Sequence, residues 1–419
     1  MSAAHGETVM LPGGGVRVEG ALELVPVPGG VRPVRLPVRQ WAHFPPAAEI
    51  LRAVVSNASG VRLRVDTTAT RLTLRVRCAR IQIGDFLRPL NSFVAQVEGV
   101  TVATAEPPAD QTLQISFAGD EATTVVHSDS SLVELAPLPA GRKTVTVFLP
   151  QSMNVDLLDI VGDAPVFPAE PTGRPLWIHH GSSISHCAEA ELPTSVWPVV
   201  SSSIADLDLV NLGFGGQCML DPFVADAIAA TPADVISIKV GVNIVGARSM
   251  DQRTFVPALH GFLDRIREGH PHTPIVLCSS ILWPGSDDTP GPSDVEFLDD
   301  GGIRCFTAGD PADIGKGALT LAESRRQVAH VVDVRRAAGE DIVYLDGLDL
   351  YGPADVPAHP LPDSLHPDAE LYEEMGRRFA QSVFGEHGLV PRAVLLKGRS
   401  AGLAALQNHT PDEVAIASH

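Results

Sequence analysis

Leu176-Trp177-Ile178-His179 is a short run suited to a buried strand, and it stops at Gly181-Ser182-Ser183-Ile184-Ser185, a turn of small residues. Four more short apolar runs follow, at 207–212, 235–240, 275–279 and 342–345. Helical periodicity fills the gaps between them. Residues 254–268 place Phe255, Leu259, Phe262, Leu263 and Ile266 on one stripe, and Gly269 fits the C-terminal stop. A second helix is expected over 319–338, with Leu321, Val328, Val331 and Val332 on one face. A third follows Pro367 and carries Leu371, Met375 and Phe379. Strands alternating with helices in this way imply a parallel sheet covered on both faces, an α/β fold.

Upstream the period changes to two. Val61, Leu63 and Val65 alternate with Arg62 and Arg64, and Leu72, Leu74, Val76 and Cys78 alternate with Thr73, Arg75 and Arg77. The pattern returns in Leu113-Ile115-Phe117 and in Val145-Val147-Leu149. A period of two puts one side of each strand on a core. Turn clusters at Pro28-Gly29-Gly30, 56–60 and Ala118-Gly119-Asp120 separate the runs. Many short strands with little helix between them predict an all-β jelly roll or β-sandwich. The Pro-rich stretch 165–175 reads as an interdomain connection. The expected organisation is therefore a β domain over 1–165, an α/β domain over 175–384, and a loosely packed tail over 385–419.

At about 150 residues per domain, 419 residues suit two or three domains. The chain has 31 Lys+Arg against 50 Asp+Glu, a formal charge of −19. That acidity argues against nucleic acid or an anionic membrane surface as the main partner. No apolar run reaches the roughly 18 residues of a membrane span. The beginning, MSAAHGETVMLPGGG, lacks a basic stretch followed by an apolar one, so no secretion signal is expected. The five cysteines are odd in number, widely spaced and without a CxxC pair. Neither a disulfide framework nor a zinc site is indicated, and reduced thiols in a cytoplasmic protein are expected.

In an open parallel sheet, ligands bind beyond the carboxyl ends of the strands. The residues just after the strands are Gly181-Ser182-Ser183-Ile184-Ser185, Asn211-Leu212-Gly213-Phe214-Gly215-Gly216-Gln217 and Gly241-Val242-Asn243; Asp363-Ser364-Leu365-His366-Pro367 precedes the last helix. They form the parts list of a serine acyl-transfer site. A hydroxyl needs a base to take its proton, and the base needs a third group to fix its tautomer. Ser183, His366 and Asp363 can fill those roles. The N–H groups of Ser183 and Gly216 and the amide of Asn243 can serve the oxyanion.

These four blocks, in this order, resemble the SGNH (GDSL-type) hydrolase superfamily over residues 175–384. The resemblance implies a three-layer α/β/α domain with Ser183 as nucleophile, Gly216 and Asn243 as oxyanion donors, and Asp363 with His366 completing the triad. Ser182 stands where many members have Asp. The Gly-Ser-Ser-Ile form resembles a bacterial branch that carries an N-terminal β-sandwich similar to carbohydrate-binding modules. The expected substrate is a small-molecule ester, with a hydroxyl compound as acceptor if the acyl group is transferred; no metal or organic cofactor is implied.

Each block also has a plainer reading. Ser183 can be a helix N-cap, Asn243 a turn residue, and Asp363 a cap for the following helix. His179, His180 and His186 invite a metal, but strand alternation sends the first two to opposite faces. Cys187 and Cys218 read as packing. Gln217 and Trp283 are candidates for the substrate pocket, with simple packing the alternative for Trp283. A rival of another class is a non-catalytic glycan-binding protein with a degenerate second domain.

Overall fold

In the computed structural model, residues 6–84, 86–116, 122–298 and 302–396 are described. Five parallel strands form the central sheet, in the order Asp208–Gly213, Leu176–Gly181, Val235–Lys239, Ile275–Cys278, Ile342–Leu345. Alternate residues along them serve two separate cores. Ile178, Ile236 and Leu277 face helices Pro222–Ala229, Gln252–Gly269 and Leu321–Ala337. Trp177, Val235 and Val276 face helices Trp197–Ala205 and Ala369–Phe379. This is the expected three-layer α/β/α arrangement.

Helix Gln252–Gly269 buries the stripe read from the sequence, Phe255 through Ile266. It begins with a capping box, in which Asp251 accepts from the N–H groups of Arg253 and Thr254.

Two sheets build the β region. Strands Arg62–Thr67 and Lys143–Phe148 lie at the centre of one, and Leu72–Ile83 and Asn154–Gly162 at the centre of the other. Leu63, Val65 and Val145 from the first meet Leu74, Val76 and Val155 from the second in one core. The sandwich is thus present as its alternating residues implied. Phe117 and the Ala118-Gly119-Asp120 turn lie outside the described residues.

Four expectations need correction. Glu49–Ser56 in the β region is a helix, and its Leu51, Val54 and Val55 join the core of the α/β domain. At eight residues it is too short to register as periodicity. The Pro-rich connection is not free at its start, because Val166–Pro168 pairs with strand Arg62–Thr67. The stretch between the fourth and fifth expected strands, where no further strand was expected, contains a hairpin, Ser293–Phe297 with Ile303–Thr307. Its first strand is exposed throughout, so no buried face marked it. The tail packs over 385–396, where Val390 and Leu395 are buried and Arg392 pairs with Asp206; residues 397–419 lie outside the described residues.

Candidate active site

Ser183 opens a one-turn helix, Ser183–His186, just beyond the carboxyl end of strand Leu176–Gly181. Ser182, not Ser183, is the N-cap: its hydroxyl accepts from Ile184 N–H at 3.3 Å. Ser and Asp both cap well, so the departure at position 182 keeps the local function of an Asp there. Gly213 lets this helix sit against the neighbouring strand, since a Cβ there would lie 2.4 Å from the Ser185 carbonyl carbon.

His366 Nε2 lies 2.8 Å from Ser183 Oγ, and His366 Nδ1 lies 2.6 Å from Asp363 Oδ2. The other Asp363 oxygen accepts from the N–H groups of Leu365 and His366, at 2.9 and 2.6 Å. Burial opposes the charge on Asp363, but His366 and these N–H donors outweigh it and hold the carboxyl down at about 2. An ionised carboxylate only accepts, so Nδ1 carries the proton and Nε2 offers its lone pair to the serine hydroxyl. For His366 burial favours the neutral ring; the charges of Glu189 and Asp363 and the Asp363 hydrogen bond prevail and raise its pKa. Asp363 does not cap the next helix. That task falls to Asp368, which accepts from Leu371 N–H at 2.8 Å.

The turn after strand Asp208–Gly213 supplies Gly216 with φ of 72° and open space where a Cβ would stand. Any other residue would be strained there. Asn243 sits in helix Val242–Gly246, and its Oδ1 accepts from Cys218 N–H at 3.1 Å. That donor fixes the amide orientation and leaves Nδ2 as a free donor. Among the described residues, Ser183 N–H, Gly216 N–H and Asn243 Nδ2 make no hydrogen bond.

Gln217 is half-buried, and its N–H closes the turn on Phe214 O at 3.0 Å. Trp283 is only 1 % exposed and lies in a core cluster, so the packing reading holds and it offers no face to a ligand. The three histidines are spent elsewhere. His179 bonds Ser237 and Ser185, His180 bonds Leu212 O, and His186 bonds Gln151 O. All five cysteines are free and buried. Among the described residues no group of His, Cys, Asp or Glu is arranged to hold a metal ion, and no helix is long and apolar enough to cross a membrane.

Sequence reading missed one charged neighbour. Glu189 follows the Ser183 helix, pairs with Arg88 of the β region at 3.2 Å, and accepts from Tyr372 Oη at 3.3 Å. No motif links 88, 189 and 372, so nothing in the sequence marked them.

Residues 175–283 match the model of the GDSL-like lipase/acylhydrolase family. Over that stretch, about a quarter of the chain, the protein is similar to GDSL-like lipases and acylhydrolases. Among solved structures, the salicylyl-acyltransferase SsfX3 from a tetracycline biosynthetic pathway is 26 % identical. It aligns over 90 % of this chain and 96 % of its own, with a TM-score of 0.68. A GDSL-like lipase from Bacteroides ovatus is 15 % identical over 86 % of this chain and 93 % of its own, TM-score 0.60. A family two carbohydrate esterase from Clostridium thermocellum, solved with cellohexaose, is 15 % identical over 80 % and 94 %, TM-score 0.52. The last two likenesses are of fold alone. No curated protein sequence matches. The family match and the likeness along most of the chain together support an enzyme of the GDSL/SGNH kind, esterase or acyltransferase.

Proposed function

We propose that the protein is a serine-dependent ester hydrolase that works through an acyl-Ser183 intermediate. Ser183 Oγ attacks the acyl carbonyl while His366 Nε2 takes its proton. The Asp363 carboxylate steadies the imidazolium. Ser183 N–H, Gly216 N–H and Asn243 Nδ2 receive the oxyanion. Collapse breaks the bond to the alcohol, which leaves with the proton from Nε2. Water then attacks the acyl-enzyme with His366 again as base, and the acid departs from Ser183. The observation that carries this reading is the unbroken line from Ser183 Oγ to His366 at 2.8 Å and on to Asp363 at 2.6 Å.

Acyl transfer to a hydroxyl acceptor is the second reading, and the likeness to an acyltransferase over 90 % of the chain favours it. The two share every step up to deacylation. A glycan-binding protein with a dead second domain is disfavoured by that same complete relay. Mass spectrometry after incubation with short-chain, aromatic and sugar esters tests all three. An acyl adduct on the Ser183 peptide is expected, discharged by water in a hydrolase and faster by an added alcohol in a transferase. No adduct and no fluorophosphonate labelling, with hits on a glycan array, would favour the binding protein.

A further inference from the structure

The turn bearing Gly216 is rich in glycine, and its root is held from outside the α/β domain. Four of its backbone bonds are local. Gly213 N–H goes to Asn211 Oδ1 at 3.0 Å, Phe214 N–H to Gly181 O at 2.8 Å, Gln217 N–H to Phe214 O at 3.0 Å, and Cys218 N–H to Asn243 Oδ1 at 3.1 Å. Two carbonyls at the base, Asn211 O and Gly213 O, both accept from Arg35 Nη1, at 2.9 and 2.7 Å. The same guanidinium donates from Nε to Asn57 O and from Nη2 to Val54 O, each at 2.6 Å. It also lies over the Phe214 ring, 5.1 Å from the centroid.

Arg35 is 0 % exposed and pairs with no carboxylate among the described residues. Burial pulls its guanidinium down to about 9, which still leaves it charged at neutral pH. A buried cation without an anion is costly unless its donors are satisfied. Carbonyls of both halves of the molecule satisfy them here. A second link runs beside it. Ser59 donates to His186 O at 2.8 Å and accepts from Asn211 Nδ2, which also reaches Ser185 O; both Asn211 bonds are 2.9 Å. The nucleophile's helix and the oxyanion turn are thus tied to each other and to residues 35–59.

We propose that Arg35 is a positioning residue for the oxyanion turn, so that the N-terminal region is part of the catalytic unit. The proposal rests on the acyl-serine reading above. Its competitor is a strut that only joins the two halves, which would change stability and leave turnover per folded molecule alone.

The test compares the full-length wild type with Arg35→Lys and Phe214→Leu. Lysine keeps the charge, but its three donors cannot span four carbonyls. Leucine removes the ring beneath the guanidinium and keeps an apolar side chain in its place. Melting temperature, fluorophosphonate labelling, p-nitrophenyl ester kinetics and inhibition by phenylboronic acid are measured; the boronate's tetrahedral adduct occupies the oxyanion position. Positioning predicts that kcat of folded Arg35→Lys falls about 10- to 100-fold with KM little changed, since displacements near 1 Å cost that much. Boronate affinity falls by the same factor, and the acid limb of the pH profile stays in place. If Arg35→Lys does not fold, Phe214→Leu decides by the same parallel loss, smaller in size. Folded variants with kcat and boronate affinity within about twofold of wild type would overturn the proposal. A wild-type chain that fluorophosphonate leaves unlabelled would instead remove the acyl-serine reading, and this proposal with it.

Discussion

Ser183 and Ser185 stand two residues apart on one short helix, each 2.8 Å from a histidine nitrogen. Only the surroundings differ. Ser183 and His366 are half-buried, and the far side of His366 meets an ionised carboxylate. Ser185 and His179 are fully buried, and the far side of His179 meets the Ser237 hydroxyl, which also accepts from Trp177 Nε1 at 2.8 Å. Burial, then the neighbouring charges of His180 and Lys239, push the His179 pKa well below its ordinary value, whereas that of His366 is raised. No ester can approach Ser185, because even a Cβ at Gly181 would lie 2.3 Å from its hydroxyl. On the proposed reading, distance to an imidazole does not by itself make a nucleophile; a carboxylate behind the ring and access to the serine are also needed.

The sharpest way to break this comparison is to remove each hydroxyl in turn. Ser183→Ala is expected to abolish fluorophosphonate labelling and to lower kcat by about 10⁶, the size of loss when a serine triad loses its nucleophile. Ser185→Ala should label like wild type and melt at a lower temperature, since it leaves His179 Nε2 unsatisfied at about 1–3 kcal/mol. Labelling that follows Ser185 would reverse the assignment.

Next in size is the group behind the ring. Asp363→Asn retains a carbonyl oxygen for the two backbone donors but disfavours the tautomer with its proton on Nδ1. A loss of about 10⁴ in kcat with an unchanged circular dichroism spectrum is expected. A loss below tenfold would mean that His366 needs no carboxylate, and the contrast with His179 would lose its cause.

Asn243→Ala tests the room in front of the serine. If Nδ2 serves the oxyanion, kcat should fall about 10²- to 10³-fold, or about 2.7–4 kcal/mol in the barrier. A threefold change would reduce Asn243 to its bond with Cys218.

Much of the contrast was legible before any coordinates, because local sequence carries it. Strand and helix stripes such as Phe255 to Ile266 are periodicities within one element, and burial follows them closely. Ser183, Asn243 and the Asp363–His366 pair lie in short blocks next to such elements, so topology alone brings them to one edge. Contacts between remote segments were not legible. Arg35 reaches a carbonyl 176 positions away, and Arg88 reaches Glu189 across 101, with no spacing to announce either. Trp283 failed differently. Its place after the fourth strand suggested a pocket wall, but a large apolar ring is taken up by the core unless something keeps it out.

The smallest expected effect concerns Glu189, the remote charge that acts on His366 and has no counterpart in the causes that lower His179. A raised His366 pKa keeps the imidazolium to higher pH, so the neutral base is scarce on the acid side. Activity should therefore rise with pH through a midpoint above the ordinary histidine value of about 6.5. Glu189→Gln removes the negative charge and leaves the Arg88 cation nearby, and both changes disfavour the imidazolium. The acid limb of kcat/KM should move to lower pH, read from profiles of wild type and variant at equal ionic strength. Added salt should shift the wild-type limb the same way, since Glu189 is exposed and its field is screened. A limb that stays in place in both experiments would leave Asp363 as the sole cause of the raised pKa. The two serine–histidine pairs would then differ by one carboxylate alone.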